Sequence, residues 1–183
     1  MPADMKKMIA EAFLSLLRHK DIDKITVKVL VEACHISRQT FYYHFRDIVD
    51  VIEWCAKETA THLLTRIYEA DNPQDACRII VESAVRDDFL TMKLMRSQKR
   101  EEIEKALFPV MRQYMMAFAR HERPDINLSY TDMEALLDFC SFGMIGMIRM
   151  ACLEGRTDVD MLSRQIYLIL SGQMVPCHNP TNT

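Results

Sequence analysis

Residues 37 to 45, Ser-Arg-Gln-Thr-Phe-Tyr-Tyr-His-Phe, bring four aromatic rings, a guanidinium, an amide and two aliphatic hydroxyls into nine positions. Phe41 and Phe45 stand four apart, which puts them on one face of a helix and leaves Arg38, Gln39, Tyr42 and Tyr43 largely outside that stripe. Arg38 and Gln39 at the N-terminal end of such a helix carry the side chains that pair with guanine and adenine edges. Thr40, Tyr42, Tyr43 and His44 suit phosphate oxygens or thymine methyls. The chemistry implied is the reading of duplex DNA. The plainer alternative is a capped surface helix with two core aromatics.

A helix that reads DNA needs a scaffold, and the flanking sequence supplies one. Met8, Ile9, Ala12, Phe13, Leu16 and Leu17 recur at helical spacing, predicting a first helix from about Asp4 to His19. After the break at Asp-Lys-Ile-Thr, Thr26 is an N-cap for a short helix through Val27, Leu30, Val31 and Ala33, and Ser37 caps the next. Three residues separate the two short helices, the spacing of a helix-turn-helix whose second member enters the major groove. Lys24, Lys28, Arg38 and Arg46 cluster around that second helix.

Further along, Asp47 caps a long helix, Asn72 and Pro73 open one reaching about residue 96, and another spans about 99 to 121 with Pro109 expected to kink or divide it. Thr131 is the expected cap of a helix to Glu154 that stops at Gly155, and Asp158 caps the last, to about Ser171. With 4 glycines and 6 prolines in 183 residues, and 49% hydrophobic content, the economical fold class is all-α.

Composition excludes other classes. The chain has no glycine-rich phosphate loop, no nucleophile elbow and no His/carboxylate cluster at metal spacing, so no catalytic residue, metal or cofactor is expected. The 6 cysteines (34, 55, 77, 140, 152, 177) form no CxxC pair and suit reduced, buried thiols in a cytoplasmic protein. The start carries Glu11 inside its apolar stretch and no cleavage site, unlike a signal peptide. The most apolar run, residues 139–153, is about fifteen residues with Arg149 inside it, short of a membrane span. Net charge is -3, divided as +1 over residues 1–50 and -4 over 51–183, which permits a nucleic-acid head on an acidic body.

The stretch from Ile25 to Trp54, Ile-Thr-Val-Lys-Val-Leu-Val-Glu-Ala-Cys-His-Ile-Ser-Arg-Gln-Thr-Phe-Tyr-Tyr-His-Phe-Arg-Asp-Ile-Val-Asp-Val-Ile-Glu-Trp, resembles the DNA-binding head of the TetR family of bacterial transcription regulators. The likeness rests on Thr26, Ala33, Ile36, Ser37, Thr40, Phe41, Tyr42, His44 and Phe45. The Arg-Gln-Thr-Phe-Tyr-Tyr-His-Phe wording also looks like a subgroup that includes activators of dihydroxyacetone kinase operons. The resemblance implies a helix-turn-helix DNA-binding domain at 1–46 and a helical ligand-binding and dimerisation domain at 47–174; the tail at 175–183 is expected to be disordered. It implies a homodimer on a palindromic operator, released when a small molecule fills the larger domain. The DNA-binding residues would be Thr26, Lys28, Ser37, Arg38, Gln39, Thr40, Tyr42, Tyr43, His44 and Arg46. Two positions depart from the family pattern: His35 replaces the turn's usual glycine, and Ile48 replaces a lysine that commonly reaches a phosphate.

In the larger domain, 11 of the 14 methionines lie at or beyond Met92. Methionine adapts to irregular space, so a soft apolar effector pocket is expected from Trp54, His62, Phe89, Met92, Phe108, Met111, Met115 and Phe139, with core filling as the plainer role. The last two helices retain apolar surface after packing, and Met144, Met147, Ile148, Leu162, Ile166 and Ile169 are the expected dimer interface. The expected function is a DNA-binding repressor, with activation as the other direction. The competing class is a helical adaptor that binds a partner protein through its methionine-rich face.

Overall fold

The computed structural model describes residues 2–85, 88–125, 127–155 and 158–174, without the side chains of residues 2, 3 and 88–90. The segment 175–183, expected to be disordered, lies outside the described residues, as does Cys177. Among the described residues the fold is all-α: nine helices, one 3-10 turn and no strand.

Local capping accounts for most helix starts. Helix α1 spans Pro2–His19, followed by a 3-10 turn at Ile22–Lys24 in which the Asp21 carboxylate accepts from the Asp23 amide. Helix α2, Val27–Ala33, starts where Thr26 Oγ1 accepts from the Val29 amide, and α3, Arg38–His44, where Ser37 Oγ accepts from that of Thr40. Helix α4 runs Ile48–Tyr68 and α5 runs Pro73–Val85, opened by Asn72 Oδ1 accepting from the Asp75 amide at 2.9 Å. Helices α6 (Asp88–Arg96), α7 (Arg100–Glu122), α8 (Tyr130–Leu153) and α9 (Val159–Leu170) complete the order.

Three expectations change. The single helix expected to reach residue 96 is two, α5 and α6. The cap of α8 is Ser129, whose hydroxyl accepts from the Asp132 amide at 3.1 Å, two residues before the expected Thr131. Helix α7 is not divided at Pro109. Proline removes the amide that would bond the Lys105 carbonyl, but Pro109 and Lys105 both lie on the exposed face, where water can serve that carbonyl.

Two compact units emerge. The first comprises residues 1–61 with 89–110, and the expected boundary at 46/47 falls inside it. Its core joins Ile9, Phe13 and Leu17 of α1 to Leu30, Phe41, Phe45, Val51 and Ile52, and Ile103 of α7 is part of the same cluster. Polar bonds close it: Lys93 Nζ donates to the carbonyls of Leu17 (2.6 Å) and Lys20 (2.9 Å) past the end of α1, where a cation complements the helix dipole. Ser97 Oγ donates to Asp23 at 2.6 Å, and the Gln98 amide donates to the same carboxylate at 3.1 Å. These bonds are why α6 and the start of α7 belong with the head.

The second unit comprises the described residues of 62–88 and 111–174. Helix α5 packs along α9, with Arg78 Nε donating to Asp160 at 2.8 Å, and Arg112 bridges α7 to Glu134 (2.7 Å) and Asp138 (2.6 Å) of α8. Bonding to Glu134 raises the Arg112 pKa further above its usual value, so this guanidinium stays charged. Burial pushes the Cys77 thiol up to about 12, and in the first unit the Cys55 thiol up to about 11, leaving both as protonated, weakly nucleophilic groups at neutral pH.

Helix α8 is longer than its apolar run suggested. By length and composition it could cross a membrane, with a mean hydropathy of 1.6 over its most apolar window, of which 33% is buried. Leu137, Ser141, Met144, Ile148 and Cys152 nevertheless form one buried face at helical spacing, so α8 is a packing helix of the second unit with its other face uncovered.

Candidate nucleic-acid interface

The turn between α2 and α3 is built by backbone bonds. The Ile36 amide donates to the Val31 carbonyl at 3.1 Å and the His35 amide to that of Glu32 at 3.3 Å, the paired bonds of a Schellman helix end. That motif requires a left-handed residue just past the helix, and His35 takes it with φ 54°. The family's glycine position therefore keeps its geometry with a strained side chain. Replacing His35 with glycine should raise stability by about 1 kcal/mol, because the Cβ clash of left-handed backbone disappears. Thermal melts of the two proteins check this, and a lower melting temperature for the glycine variant would contradict it.

Helix α3 presents its two faces as its spacing implies. Phe41 and Phe45 are buried, with ring centroids 6.0 Å apart, while Arg38, Gln39 and Tyr42 are exposed and Tyr43 is 80% exposed. Ser37 Oγ and Thr40 Oγ1 lie 2.8 Å apart. Since Ser37 Oγ already accepts from the Thr40 amide, its own proton can go to Thr40 Oγ1, leaving the Thr40 hydroxyl free to donate outward. Thr26, Lys28 and Arg46 are exposed around this helix and His44 is half-buried beside Tyr43, with ring centroids 5.0 Å apart. Seven of the ten expected DNA-facing residues, Ser37 to Thr40 and Tyr42 to His44, thus lie on α3 or its cap, supported from below by aromatic packing.

Ile48 is only 8% exposed and belongs to the head core, so the position where relatives commonly carry a phosphate-reaching lysine faces inward here. Two carboxylates also cluster at this start of α4: Asp47 Oδ1 accepts from the Asp50 amide at 2.9 Å, and Asp50 Oδ2 from the Arg46 amide just before the helix at 2.9 Å. Ile48→Lys should lower stability by about 1–3 kcal/mol, by burying part of a charged stem without a partner. A thermal melt reads the loss, and a salt series on DNA binding should keep its slope.

The expected effector residues differ in exposure, and they are divided between the two units. Trp54 packs edge-on against Phe45, 6.2 Å between centroids at 81°, because the α4 turn that carries it lies over the head core. His62 is exposed, and Phe139 is 76% exposed, since it lies on the uncovered face of α8. Met115 is buried core, Met92, Phe108 and Met111 are half-buried, and the Phe89 side chain lies outside the described residues. Of the six expected dimer residues, four are already covered within the single chain. Met144, Ile148, Leu162 and Ile166 are buried within the second unit, Met144 to 2% exposure, so they hold α8 and α9 in place and have no surface for a partner. Met147 is half-buried and Ile169 exposed. The apolar surface left open is a stripe on α8 that sequence reasoning missed: Phe139, Phe142, Met150 and Leu153, with Met161 of α9 also exposed. Hydropathy marks both faces of α8 as apolar, and only packing tells which is covered.

A family model described as the C-terminal region of a transcriptional regulator of the TetR type matches residues 71–172, and the model for bacterial regulatory proteins of the tetR family matches residues 9–53. The chain belongs to the TetR family. An uncharacterised helix-turn-helix transcriptional regulator of Bacillus subtilis, YxbF, is 28% identical over 79 residues, 43% of this chain; the matched segment spans 21% of that relative's length. The dihydroxyacetone kinase operon activator DhaS shares the fold at a TM-score of 0.65 and 18% identity, covering 92% of this chain and 94% of its own. The TetR-family repressor FadR of Thermus thermophilus, solved with lauroyl-CoA, does so at 0.68 and 14% identity, covering 97% and 99%. FadR of Bacillus subtilis, solved with stearoyl-CoA, scores 0.58 at 14% identity, covering 91% and 98%. These likenesses establish the TetR fold over nearly the whole chain.

Proposed function

We propose that this TetR-family protein is a sequence-specific DNA-binding transcriptional regulator, a repressor that holds a palindromic operator as a homodimer in the bacterial cytoplasm. The observation that carries this is α3: a capped helix anchored by buried Phe41 and Phe45 that exposes Arg38, Gln39, Tyr42 and Tyr43 together. An arginine and a glutamine at the start of such a helix can reach base edges, while Thr40 and the tyrosines set its register on the backbone.

The second copy is assigned to the open stripe of α8, Phe139, Phe142, Met150 and Leu153, with Met161 of α9 beside it. Large exposed apolar patches mark interaction surfaces, and a two-fold pairing buries the same stripe from both copies. The adaptor alternative would give this stripe to another protein, and the oligomeric state separates the two. A small apolar effector acting through the second unit completes the proposal. The acyl-CoA complexes of two proteins with this fold make a long-chain acyl-CoA the first probe. Catalysis and a membrane have no part in it.

Selection of genomic fragments by the purified protein, followed by footprinting, tests the proposal. The expected outcome is a footprint with two half-sites related by a dyad. Recovery of fragments with no common sequence would remove the claim of specificity.

A further inference from the structure

We infer that Asp50 limits the DNA affinity of the head by holding Arg46 away from the phosphate backbone. The inference rests on the DNA-binding function proposed above. Arg46 follows α3 directly, its side chain is 80% exposed, and it is one of the cations expected to meet phosphate. It is not free to do so. Asp50 Oδ2 accepts the Arg46 backbone amide at 2.9 Å and lies 3.6 Å from Arg46 Nε, so one carboxylate holds the residue by main chain and side chain together.

The Asp50 side chain is itself only 25% exposed and is fixed at the third position of α4, where its own amide is bonded by Asp47. The start of a helix ordinarily favours phosphate through its amides and dipole. Here the Asp47 and Asp50 carboxylates stand at that helix end, bonding the Asp50 and Arg46 amides, and Ile48 between them points inward and offers no cation. A phosphate approaching this corner meets negative charge within a Debye length, and Arg46 is already paired with Asp50. The head therefore makes fewer backbone contacts than its lysines and arginines would allow. A larger share of operator recognition falls on Arg38 and Gln39, which read bases, and indiscriminate binding to other duplexes is held down. Asp50 acts through Arg46 and is a positioning residue.

The test uses full-length protein with a duplex selected from genomic DNA and a random duplex of equal length, each titrated across a salt series. Asp50→Asn keeps an oxygen to accept the Arg46 amide while removing the charge. It should tighten binding to both duplexes and steepen the salt dependence by about 0.9 log units per protomer, the value of one added phosphate contact. Arg46→Gln alone should leave the slope unchanged, and adding it to Asp50→Asn should cancel the gain. Unchanged binding by Asp50→Asn would overturn the inference, as would a gain that survives the loss of Arg46. If Asp50→Asn lowers the melting temperature too far to assay, Arg46→Gln decides: a slope shallower by about 0.9 per protomer means Arg46 already lies on phosphate, and the inference fails. Failure of the unaltered protein to prefer its selected duplex is a different result, and it removes the proposed function itself.

Discussion

Replacing Arg38 and Tyr43 together with alanine should abolish discrimination between operator and random DNA while leaving the fold intact. Both side chains are exposed, and the anchors of their helix are the buried rings of Phe41 and Phe45, which the substitutions do not touch. A bidentate contact of arginine to guanine is worth about 1–3 kcal/mol of discrimination, and a two-fold dimer loses it in both half-sites. The tyrosine adds a backbone contact that fixes register, so its loss weakens binding across sequences. Salt-dependent residual binding to any duplex should remain, carried by Lys24 and Lys28. A gel-shift comparison of selected and random duplexes measures the ratio directly. Retention of the unaltered ratio by the double variant would move base reading to another part of the protein.

The second large effect concerns the α8 stripe. Phe142→Glu should convert the protein to monomers that bind the operator poorly, because it places a charge in an apolar interface repeated by symmetry, where leaving it unpaired costs about 3–5 kcal/mol. Phe142 is 66% exposed in the single chain, so the glutamate remains solvated in the monomer and the melting temperature should fall only by what dimerisation contributed. Met144→Glu is the contrasting control. That side chain is 2% exposed, and a charge there should unfold the second unit whatever the oligomeric state. Sedimentation velocity with thermal melts separates the outcomes. An intact dimer of Phe142→Glu would place the interface elsewhere on the surface.

The contrast between Phe142 and Met144 also marks the limit of sequence reasoning here. Features that depend on neighbours a few residues apart were legible: the caps at Thr26, Ser37, Asp47, Asn72 and Asp158, the two faces of α3 set by Phe41 and Phe45, and the left-handed turn at His35. Each is a short-range bond or a helical spacing, so the local chain carries its full cause. Tertiary structure decided the rest. Residues 89–110 belong with the head because Lys93 reaches the Leu17 carbonyl and Ser97 reaches Asp23, partners more than seventy positions away. Ile48 and Trp54 turn into the head core for a similar reason: α4 closes over rings supplied by an earlier helix. Helix α8 is apolar nearly all round, so its periodicity could not say which face its own unit would cover. By itself the sequence determined most of the helices, several of their caps and the exposed face of α3, because those follow from local hydrogen bonding and spacing. Only the packing of distant helices decided which apolar side chains were consumed as core and which were left exposed.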